Sequence, residues 1–363
     1  MDMNVTEMDR TVYWDLLALS AFYDKIPVSL RIHYIMYMTE FFFYPILAIV
    51  GVPLKTKPRY HVKMKKINLI AIVILSQEKC GLSTCTTRYL VAMALMDLMV
   101  IITEVILRRI NNYYFPLNVV KLTSICRPLY VVIRVAIDCS VWFTVTFTFD
   151  RFVAISCRKL KMKYCTKKTA TVVPATTGIL LCLKNIPIYF RYKPKWIINN
   201  VEWRCSNKQI YFRDPRWNGF RMFEKVLTPL LPFSLILLFN IMTVRHILMV
   251  SRARMGLKHH KKDEKHSDQE MESRRKSMIL LFTISGTFIL LWFVYIIYFF
   301  DFVDSIVSSD GMFEVLAYML RNLSCCTNTF IYVATQSKFR EQLKSMLKYP
   351  LISIHKFVNR RNN

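Results

Sequence analysis

Seven long apolar segments, separated by polar connections, dominate the pattern of the chain. The segments lie at about 34–53, 89–107, 128–156, 171–190, 223–247, 277–300 and 312–334. Each holds about 20 residues or more, which is the length that an α-helix needs to cross roughly 30 Å of hydrocarbon. Because a segment in lipid must satisfy its backbone hydrogen bonds internally, all seven are predicted to be helices. The sequence therefore predicts an all-α membrane protein, a seven-transmembrane helix bundle whose solvent is the lipid bilayer.

The charges of the connections predict the orientation of this bundle. Lys and Arg residues hold a connection on the cytoplasmic side of a membrane. The connections from the third to the fourth segment and from the fifth to the sixth are rich in both, whereas the last connection (301–311) carries three aspartates. We therefore expect a multi-pass plasma-membrane protein with an extracellular N-terminus (1–33) and a cytoplasmic tail (349–363). Asn4 begins an Asn-Val-Thr sequon and is a predicted glycosylation site.

The formal net charge of +27 is explained better by this topology than by nucleic-acid binding, because the basic residues are spread over the connections. The connection from the fourth to the fifth segment (191–221) is an exception, since it is basic and yet predicted to be extracellular. Two interpretations are open. Either the charge has drifted in a loop that other constraints hold in place, or it forms a positive vestibule that attracts an acidic ligand.

An amphipathic segment follows the membrane domain (34–335). Residues 336–348 have the sequence QSKFREQLKSMLK. Its apolar residues share one helical face and are Phe339, Leu343, Met346 and Leu347. This arrangement predicts a short eighth helix that lies in the membrane interface.

The first apolar segment is followed by a basic run that cannot lie in hydrocarbon. LKTKPRYHVKMKK (54–66) holds six Lys or Arg residues, and a second apolar stretch with Asn68 follows it. Three interpretations are open: residues 34–53 span alone and Asn68 is displaced toward the cytoplasm, the run is looped out of one span, or it is an artefact of the gene model. The artefact is the interpretation that we favour.

Two of the ten cysteines are predicted to face the outside. Cys126 begins the third segment and Cys205 lies in the connection from the fourth to the fifth. Disulfides persist in the extracellular compartment, so a bridge between these two is predicted to fasten that connection over the mouth of the bundle. The other eight cysteines are expected to be free thiols, and no metal-ligand spacing stands out.

Five motifs, in order and at matching depths, carry a resemblance to a known family. They are Asp97 in LVAMALMDLMV, Asp150-Arg151 in FDRFVAI, Pro232, Phe288 with Trp292 in FILLW, and Asn328 with Tyr332 in NTFIY. Over about residues 34–348 the chain resembles the rhodopsin-like (class A) G-protein-coupled receptors, and among these the orphan receptors numbered 139 and 142. The resemblance implies a receptor that binds an extracellular ligand and activates a heterotrimeric G-protein.

The resemblance also implies roles for particular residues. Coupling and activation would depend on Asp150, Arg151, Phe288, Trp292, Asn328 and Tyr332. A polar cluster inside the bundle would consist of Asp97, Ser140, Ser324 and Asn328, with Asn68 near it. In the family this cluster holds a sodium ion, and the alternative is a hydrogen-bonded Asp97 without an ion. For Arg151 the alternative is an arginine that only extends its head group to the membrane surface.

Charged and aromatic residues recur at helical spacing toward the predicted outer side. Glu104 and Arg108 are four residues apart, as are Arg134 and Asp138, so each pair can meet on one helix face. Ionisable groups inside a membrane are costly, which makes each a candidate functional residue. The predicted ligand cavity is lined by Glu104, Arg108, Arg134, Asp138, Tyr295, Tyr318 and Arg321. In the alternative, these pairs only neutralise one another and hold the bundle together.

The sequence limits the ligand mainly by disfavouring particular classes of ligand. Ile133 stands where amine receptors of the family carry an aspartate, and the seventh segment has no lysine for a Schiff base, so amines and retinal are disfavoured. The orphan group suggests an aromatic amino acid or a small peptide. Val294 and Thr329 replace prolines of the family, so a signalling-dead paralogue is one alternative, and a transporter or channel lined by the buried charges is another. No nucleophile–base pair or metal constellation predicts an enzyme.

Overall fold

Helices form most of the chain in the computed structural model, which describes residues 28–51, 67–77, 80, 82–115, 118–256, 265–300 and 312–346. The first four spans consist of Val28–Gly51 with Ile67–Ser76, Thr84–Tyr114, Thr123–Ser156, and Thr169–Asn185 with Ile188–Arg191. The last three consist of the consecutive helices Pro215–Lys225, Val226–Leu230 and Leu231–Gly256, then Lys265–Phe299, then Met312–Thr335. The connections contain the short helices Val119–Lys121, Arg158–Tyr164 and Ile210–Arg213.

Six helices within the described residues are long and apolar enough to cross a membrane. They contain Tyr34–Gly51, Thr84–Tyr114, Thr123–Ser156, Thr169–Arg191, Pro215–Ala253 and Arg275–Phe299. The seventh span is less apolar because it carries Glu314 and Arg321, but it packs along the sixth span and against the first and second. The predicted seven-helix bundle is therefore confirmed.

The first span is built from two helices that meet the seventh span at one depth. Near the end of the first helix, the Leu47 carbonyl accepts a hydrogen bond from the Cys326 thiol at 3.9 Å. At the start of the second helix, Asn68 donates to the Cys325 carbonyl at 3.2 Å. Because Cys325 and Cys326 are neighbours, the two helices together take the place of a single first span. Asn68 lies inside the bundle, so the interpretation that displaced it toward the cytoplasm is wrong.

Two apolar clusters fill the bundle, one around Trp292 and the other around Tyr332 and Phe339. Lipid tails are as apolar as the side chains, so helices in a membrane associate through close packing and interhelical hydrogen bonds rather than through the hydrophobic effect. Apolar side chains therefore also cover the outer surface. Ile46 is 61% exposed and Leu290 is 72% exposed, as expected for residues that face lipid.

A β-hairpin covers one end of the bundle, which the all-helical prediction did not include. Strand β1 (Tyr192–Ile198) pairs antiparallel with strand β2 (Val201–Asn207). Asn199 and Asn200 connect them with φ values of 50° and 61°. Such left-handed values at both positions favour a type I′ turn, which asparagine tolerates and which matches the twist of a hairpin.

The disulfide between Cys126 and Cys205 fastens β2 to the third span, and the predicted bridge is confirmed. The Thr123 hydroxyl adds a hydrogen bond to the Arg204 carbonyl at 3.0 Å. The other eight cysteines are free thiols. We call this end of the bundle the hairpin end and the opposite end the Arg151 end.

A short helix at 337–346 follows the seventh span where the amphipathic segment was predicted. Phe339 is fully buried, and its ring lies 5.8 Å from that of Tyr332. Arg340 donates to the last carbonyls of the seventh span at 2.9 and 3.0 Å, which satisfies acceptors that a helix end leaves open. The helix is thus joined to the bundle through its apolar face.

Four features of the sequence lie outside the described residues. They are the sequon at Asn4, the basic run 54–66, the acidic connection 301–311 and the tail 349–363 with Leu347 before it. Their predicted roles stay predictions.

Replacing Cys205 by serine is expected to lower the thermal unfolding temperature strongly. The bridge closes a chain segment with a sequence separation of 79, and a loop of that length is expected to contribute about 4 kcal/mol. Cys182→Ser, at an exposed free thiol, is the matched control and should leave the temperature unchanged. The measurement is thermal unfolding of the purified protein in detergent. Equal temperatures for the two variants would contradict a bracing role for the bridge.

Candidate functional site

A buried carboxylate lies in the middle of the bundle. Asp97 in the second span is 2% exposed. One of its oxygens accepts a hydrogen bond from the Ser140 hydroxyl in the third span at 2.5 Å, and the other accepts one from the Asn328 amide in the seventh at 2.8 Å. An unpaired polar group is costly in so apolar a place, so these hydrogen bonds hold the three spans in one arrangement.

Ser324 connects the seventh span to an aromatic stack in the sixth. Its hydroxyl accepts a hydrogen bond from the Trp292 indole at 3.1 Å and donates to the Arg321 carbonyl at 2.7 Å. The Trp292 ring stacks on Phe288 with centroids 5.2 Å apart and meets the edge of Tyr295 at 5.4 Å. A movement of Trp292 must therefore break the Ser324 hydrogen bond or carry the seventh span with it.

Asn68 joins the first span to the seventh. Its amide nitrogen donates to the Cys325 carbonyl at 3.2 Å, and its amide oxygen accepts from the Thr329 hydroxyl at 2.9 Å. Thr329 occupies the position where the family carries a proline, which has no hydroxyl to donate. The departure from the family pattern thus supplies a hydrogen bond between two spans.

The space beside Ser140 is the place to examine for the sodium ion that the resemblance implies, and this small cavity leaves no volume for even a water molecule. Both Asp97 oxygens already accept hydrogen bonds, and Arg321 lines the same cavity. These residues do not fit a sodium ion, and no step below depends on one.

The pair Asp150–Arg151 lies at the Arg151 end of the third span. Both residues are buried, with 0% of Asp150 and 6% of Arg151 exposed. Arg151 forms an ion pair with Asp150, with its Nε 3.0 Å from the carboxylate, and also donates to the Ser277 hydroxyl of the sixth span at 3.2 Å. The second Asp150 oxygen accepts from the Cys85 thiol at 3.1 Å. Arg151 therefore ties the third span to the sixth instead of extending its head group to the membrane surface.

Tyr332 lies near the Arg151 end of the seventh span and is 1% exposed. Its hydroxyl has no hydrogen-bond partner among the residues that the structure describes. A buried hydroxyl left unpaired costs about 1–3 kcal/mol. Another arrangement of the bundle that pairs this hydroxyl would regain that free energy.

Toward the hairpin end, one fully buried carboxylate holds three arginines. Glu104 in the second span accepts hydrogen bonds from Arg108 at 2.8 and 2.9 Å. It also accepts from Arg109 at 3.4 Å and from Arg321 of the seventh span at 3.2 Å. Arg109 pairs in addition with Glu40 of the first span at 3.1 Å. We call these five residues the Glu104 network, in which three guanidinium groups meet two carboxylates.

Aromatic rings complete the surroundings of the Glu104 network. The Arg321 guanidinium lies 5.0 Å from the Tyr295 ring centre and 4.8 Å from that of Tyr318, and Arg109 lies 5.0 Å from Tyr318. A cation over an aromatic face is stabilised by about 0.5–2 kcal/mol. Because Tyr295 also contacts Trp292, the network reaches the aromatic stack of the sixth span.

The backbone of the second span explains why Glu104 reaches both Arg108 and Arg109. Ile101–Ile110 is a π-helix, whose hydrogen bonds connect residues five apart. In this wider helix, side chains four and five positions further along both lie near the face of the first residue. An α-helix turns by 100° per residue and would rotate the fifth position away.

A second set of ion pairs, which we call the Asp138 network, joins the third, fourth and fifth spans. Asp138 accepts from Lys184 at 2.7 Å and from Asn185 at 2.8 Å. Glu224 lies 3.1 Å from Arg134 and 3.5 Å from Lys184. Arg134 and Asp138 therefore each find a partner on a neighbouring span, and two acids balance two bases.

A cavity of about 290 Å³ opens at the hairpin end, between the second and third spans and the hairpin. The Cys126–Cys205 bridge forms part of its wall, and so does Tyr130, whose ring centre is 5.2 Å from the Arg108 guanidinium. Its basic lining residues are Arg108, Arg109, Lys121, Lys195 and Arg204.

The predicted ligand-cavity residues do not line one pocket. Arg108 lines the cavity at the hairpin end and Arg321 lines the small cavity beside Ser140. The others take part in ion pairs or ring contacts and are Glu104, Arg134, Asp138, Tyr295 and Tyr318.

Four residues that complete the two networks were not predicted from the sequence. They are Glu40, Arg109, Lys184 and Glu224. Each is a charge inside or at the edge of an apolar segment, and the high cost of such a charge is the signal that identifies it.

Comparison with protein families agrees with this geometry. The family described as 7 transmembrane receptor (rhodopsin family) matches residues 67–332, which is more than half of the chain. The match begins at the second helix of the first span and ends at Tyr332, so it contains the Asp97 cluster, the Asp150–Arg151 pair and Trp292. The chain belongs to the rhodopsin family of seven-transmembrane receptors.

Proposed function

We propose that this receptor binds an extracellular ligand at the hairpin end and activates a heterotrimeric G-protein at the Arg151 end. The observation that carries the proposal is the position of Arg151, which is held by Asp150 and by Ser277 where the third and sixth spans meet. Loss of these contacts frees a guanidinium group for another protein. An element with two such arrangements is what a ligand-controlled switch requires.

The proposed orientation places the hairpin end outside the cell. A disulfide such as Cys126–Cys205 persists in an oxidising compartment. The connection 157–168, which adjoins the opposite end, is rich in Lys and Arg, as cytoplasmic connections are. The sequence 252–276 between the fifth and sixth spans has the same composition. The N-terminus is then extracellular and the tail after the helix 337–346 is cytoplasmic.

The contacts of Trp292 supply a route between the two ends. A ligand that moves Tyr295 displaces Trp292, whose indole is bonded to Ser324. Ser324 lies one helical turn from Asn328, which is bonded to Asp97. We infer that Asp97 relays the change through hydrogen bonds and not through a bound cation.

The alternatives are less well supported by the contacts. A transport pathway would need charged groups that can bind a substrate in turn, whereas Glu104, Arg134, Asp138 and Arg321 are each bound to neighbouring spans. The sixth and seventh helices run unbroken over Lys265–Phe299 and Met312–Thr335 without the family's prolines. Opening then depends on a rigid-body movement of the sixth span instead of a change in its kink.

Asp150→Asn is expected to raise the basal rate of nucleotide exchange on a G-protein about fivefold or more, because losing about 1 kcal/mol from one of two states changes their ratio by that factor. The double variant with Arg151→Ala should return to the receptor-free rate. The measurement is GTPγS binding by purified Gs, Gi and Gq heterotrimers with the receptor in lipid nanodiscs.

The matched control for this experiment is Asp214→Asn, since Asp214 pairs with Arg216 in an exposed connection at the hairpin end. It should leave basal exchange unchanged. If wild-type receptor and every variant stay at the receptor-free rate with all three G-proteins, the coupling role is wrong and the chain is a signalling-dead paralogue.

Sodium is expected to have no specific effect on stability. A bound ion present at ten times its Kd would add about 1.4 kcal/mol, which raises the unfolding temperature of a protein of this size by about 2 °C. Unfolding temperatures in equal concentrations of sodium chloride and N-methyl-D-glucamine chloride should therefore agree to within about 1 °C. A higher unfolding temperature in sodium chloride, absent from the Asp97→Asn variant, would show that the cluster binds sodium and would contradict this prediction.

A further inference from the structure

We propose that the cavity at the hairpin end binds a small organic anion whose carboxylate or phosphate group contacts Arg108. The proposal rests on the receptor function proposed above and names the chemical class of its ligand. A volume of about 290 Å³ lies at the low end of the range of sites for small molecules. The size therefore favours a compact ligand over a folded partner.

The charge of the lining is the first argument. Five basic residues line the cavity, and among the residues that the structure describes no acidic one does so. They are Arg108, Arg109, Lys121, Lys195 and Arg204. A recess lined by one sign of charge, with walls of low dielectric constant, raises the local concentration of oppositely charged ligands about 10-fold or more.

The carboxylates behind the cavity do not cancel this charge. Arg108 and Arg109 share Glu104 with Arg321, and Arg109 also meets Glu40. Three arginines thus share two carboxylates, which leaves a formal charge of +1 in the Glu104 network. The other basic lining residues are Lys121, Lys195 and Arg204. An anion that enters the cavity lowers this excess.

The geometry of Arg108 makes it the contact for the anionic group. Its side chain is 36% exposed, whereas that of Glu104 is 0% exposed. Both of its hydrogen bonds to Glu104 use the same terminal nitrogen, Nη1. A planar guanidinium group binds carboxylates and phosphates through two parallel hydrogen bonds, and Arg108 lines the cavity.

Apolar contacts in the same cavity fit the organic part of such a ligand. Leu129 and Tyr130 of the third span both line the cavity. The Tyr130 ring stacks on Tyr192 of the hairpin with centroids 4.6 Å apart, which fixes its orientation. A ligand with an anionic group and an apolar or aromatic body can therefore meet Arg108 and Tyr130 together.

Binding at Arg108 is connected to the route described for activation. An anion on Arg108 competes with Glu104 for that guanidinium group, and Glu104 also binds Arg321. Arg321 packs on Tyr295, and its carbonyl accepts the Ser324 hydrogen bond. A change in the hydrogen bonds of the Glu104 carboxylate thus alters the contacts of Arg321 with Tyr295 and Ser324, which both contact Trp292.

The first test measures the electrostatic potential in the full-length receptor without any assumption about the ligand. A single thiol is introduced by Asn112→Cys in the cavity lining, or by Val201→Cys at the exposed far end of the hairpin. Each variant reacts with anionic 2-sulfonatoethyl methanethiosulfonate and with cationic 2-(trimethylammonium)ethyl methanethiosulfonate, and wild-type protein gives the background. Mass spectrometry yields the ratio of the two rates.

The ratio of anionic to cationic rates at position 112 is expected to exceed that at position 201 about tenfold. Lys195→Gln and Arg204→Gln should each reduce it, because each removes one charge from the lining. Equal ratios at the two positions would overturn the proposal, since a recess without positive potential has no preference for anions.

The second test uses matched probes that protect the thiol at position 112 from modification. Phenylacetate, glutamate and adenosine 5′-monophosphate are compared with phenylacetamide, glutamine and adenosine. At least one anion should slow modification while its neutral partner does not, and the anions that succeed separate carboxylate from phosphate recognition. The proposal would be overturned if none of the three anions protected the thiol, or if the neutral probes protected it equally. A hexaglutamate peptide is tested as well, and protection by this peptide alone would also overturn a site for small anions.

Arg108→Gln should abolish that protection, whereas Arg127→Gln should preserve it. Arg127 is the matched control because it pairs with Glu202 at the hairpin end but does not line the cavity. Both tests are made without a G-protein. Failure of anion binding therefore leaves the nucleotide-exchange result standing, and failure of exchange leaves the thiol measurements standing.

Discussion

A charged group inside the bundle needs an opposite charge or hydrogen-bond donors beside it, because hydrocarbon does not solvate it. Glu104 is 0% exposed and meets this need with three arginines drawn from two spans. Glu40 extends the same arrangement to the first span, and Asp138 with Glu224 joins the third, fourth and fifth. Ion pairs therefore cross-link the hairpin half of the receptor in two separate sets. One set joins the first, second and seventh spans, the other joins the third, fourth and fifth, and aromatic contacts attach the sixth span.

This arrangement sets what a ligand can change. Removing one partner of a buried ion pair costs about 3–5 kcal/mol, whereas the coupling between two sites is typically about 1–3 kcal/mol. A ligand at Arg108 can thus redistribute the hydrogen bonds of Glu104 but cannot dismantle the network. At the other end, the third and sixth spans are tied by Arg151 through one hydrogen bond to Ser277, which is within the reach of such a coupling. The hairpin half then keeps its arrangement when a ligand binds, and the Arg151 end is the part that changes its conformation.

Segment lengths and local motifs in the sequence predict the seven spans, the disulfide and the interfacial helix. The hairpin was not predicted, because Asn199-Asn200 lacks the glycine of the usual two-residue hairpin turn, although asparagine tolerates the left-handed conformation that both residues adopt. The π-helix that brings Arg108 and Arg109 to one carboxylate gives no signal in the apolar pattern, because it depends on tertiary contacts. For the same reason the spacing of Arg134 and Asp138 predicted a pair on one helix, while each binds a different neighbouring span.

All of these inferences require the bilayer to surround the chain and to be crossed an odd number of times. Labelling of epitope tags fused to the two termini tests this most directly, with antibodies applied to intact and then to permeabilised cells. The account predicts that the N-terminal tag is labelled on intact cells and that the C-terminal tag is labelled only after permeabilisation. Labelling of both tags under the same condition would contradict a receptor that carries a signal from one side of the membrane to the other.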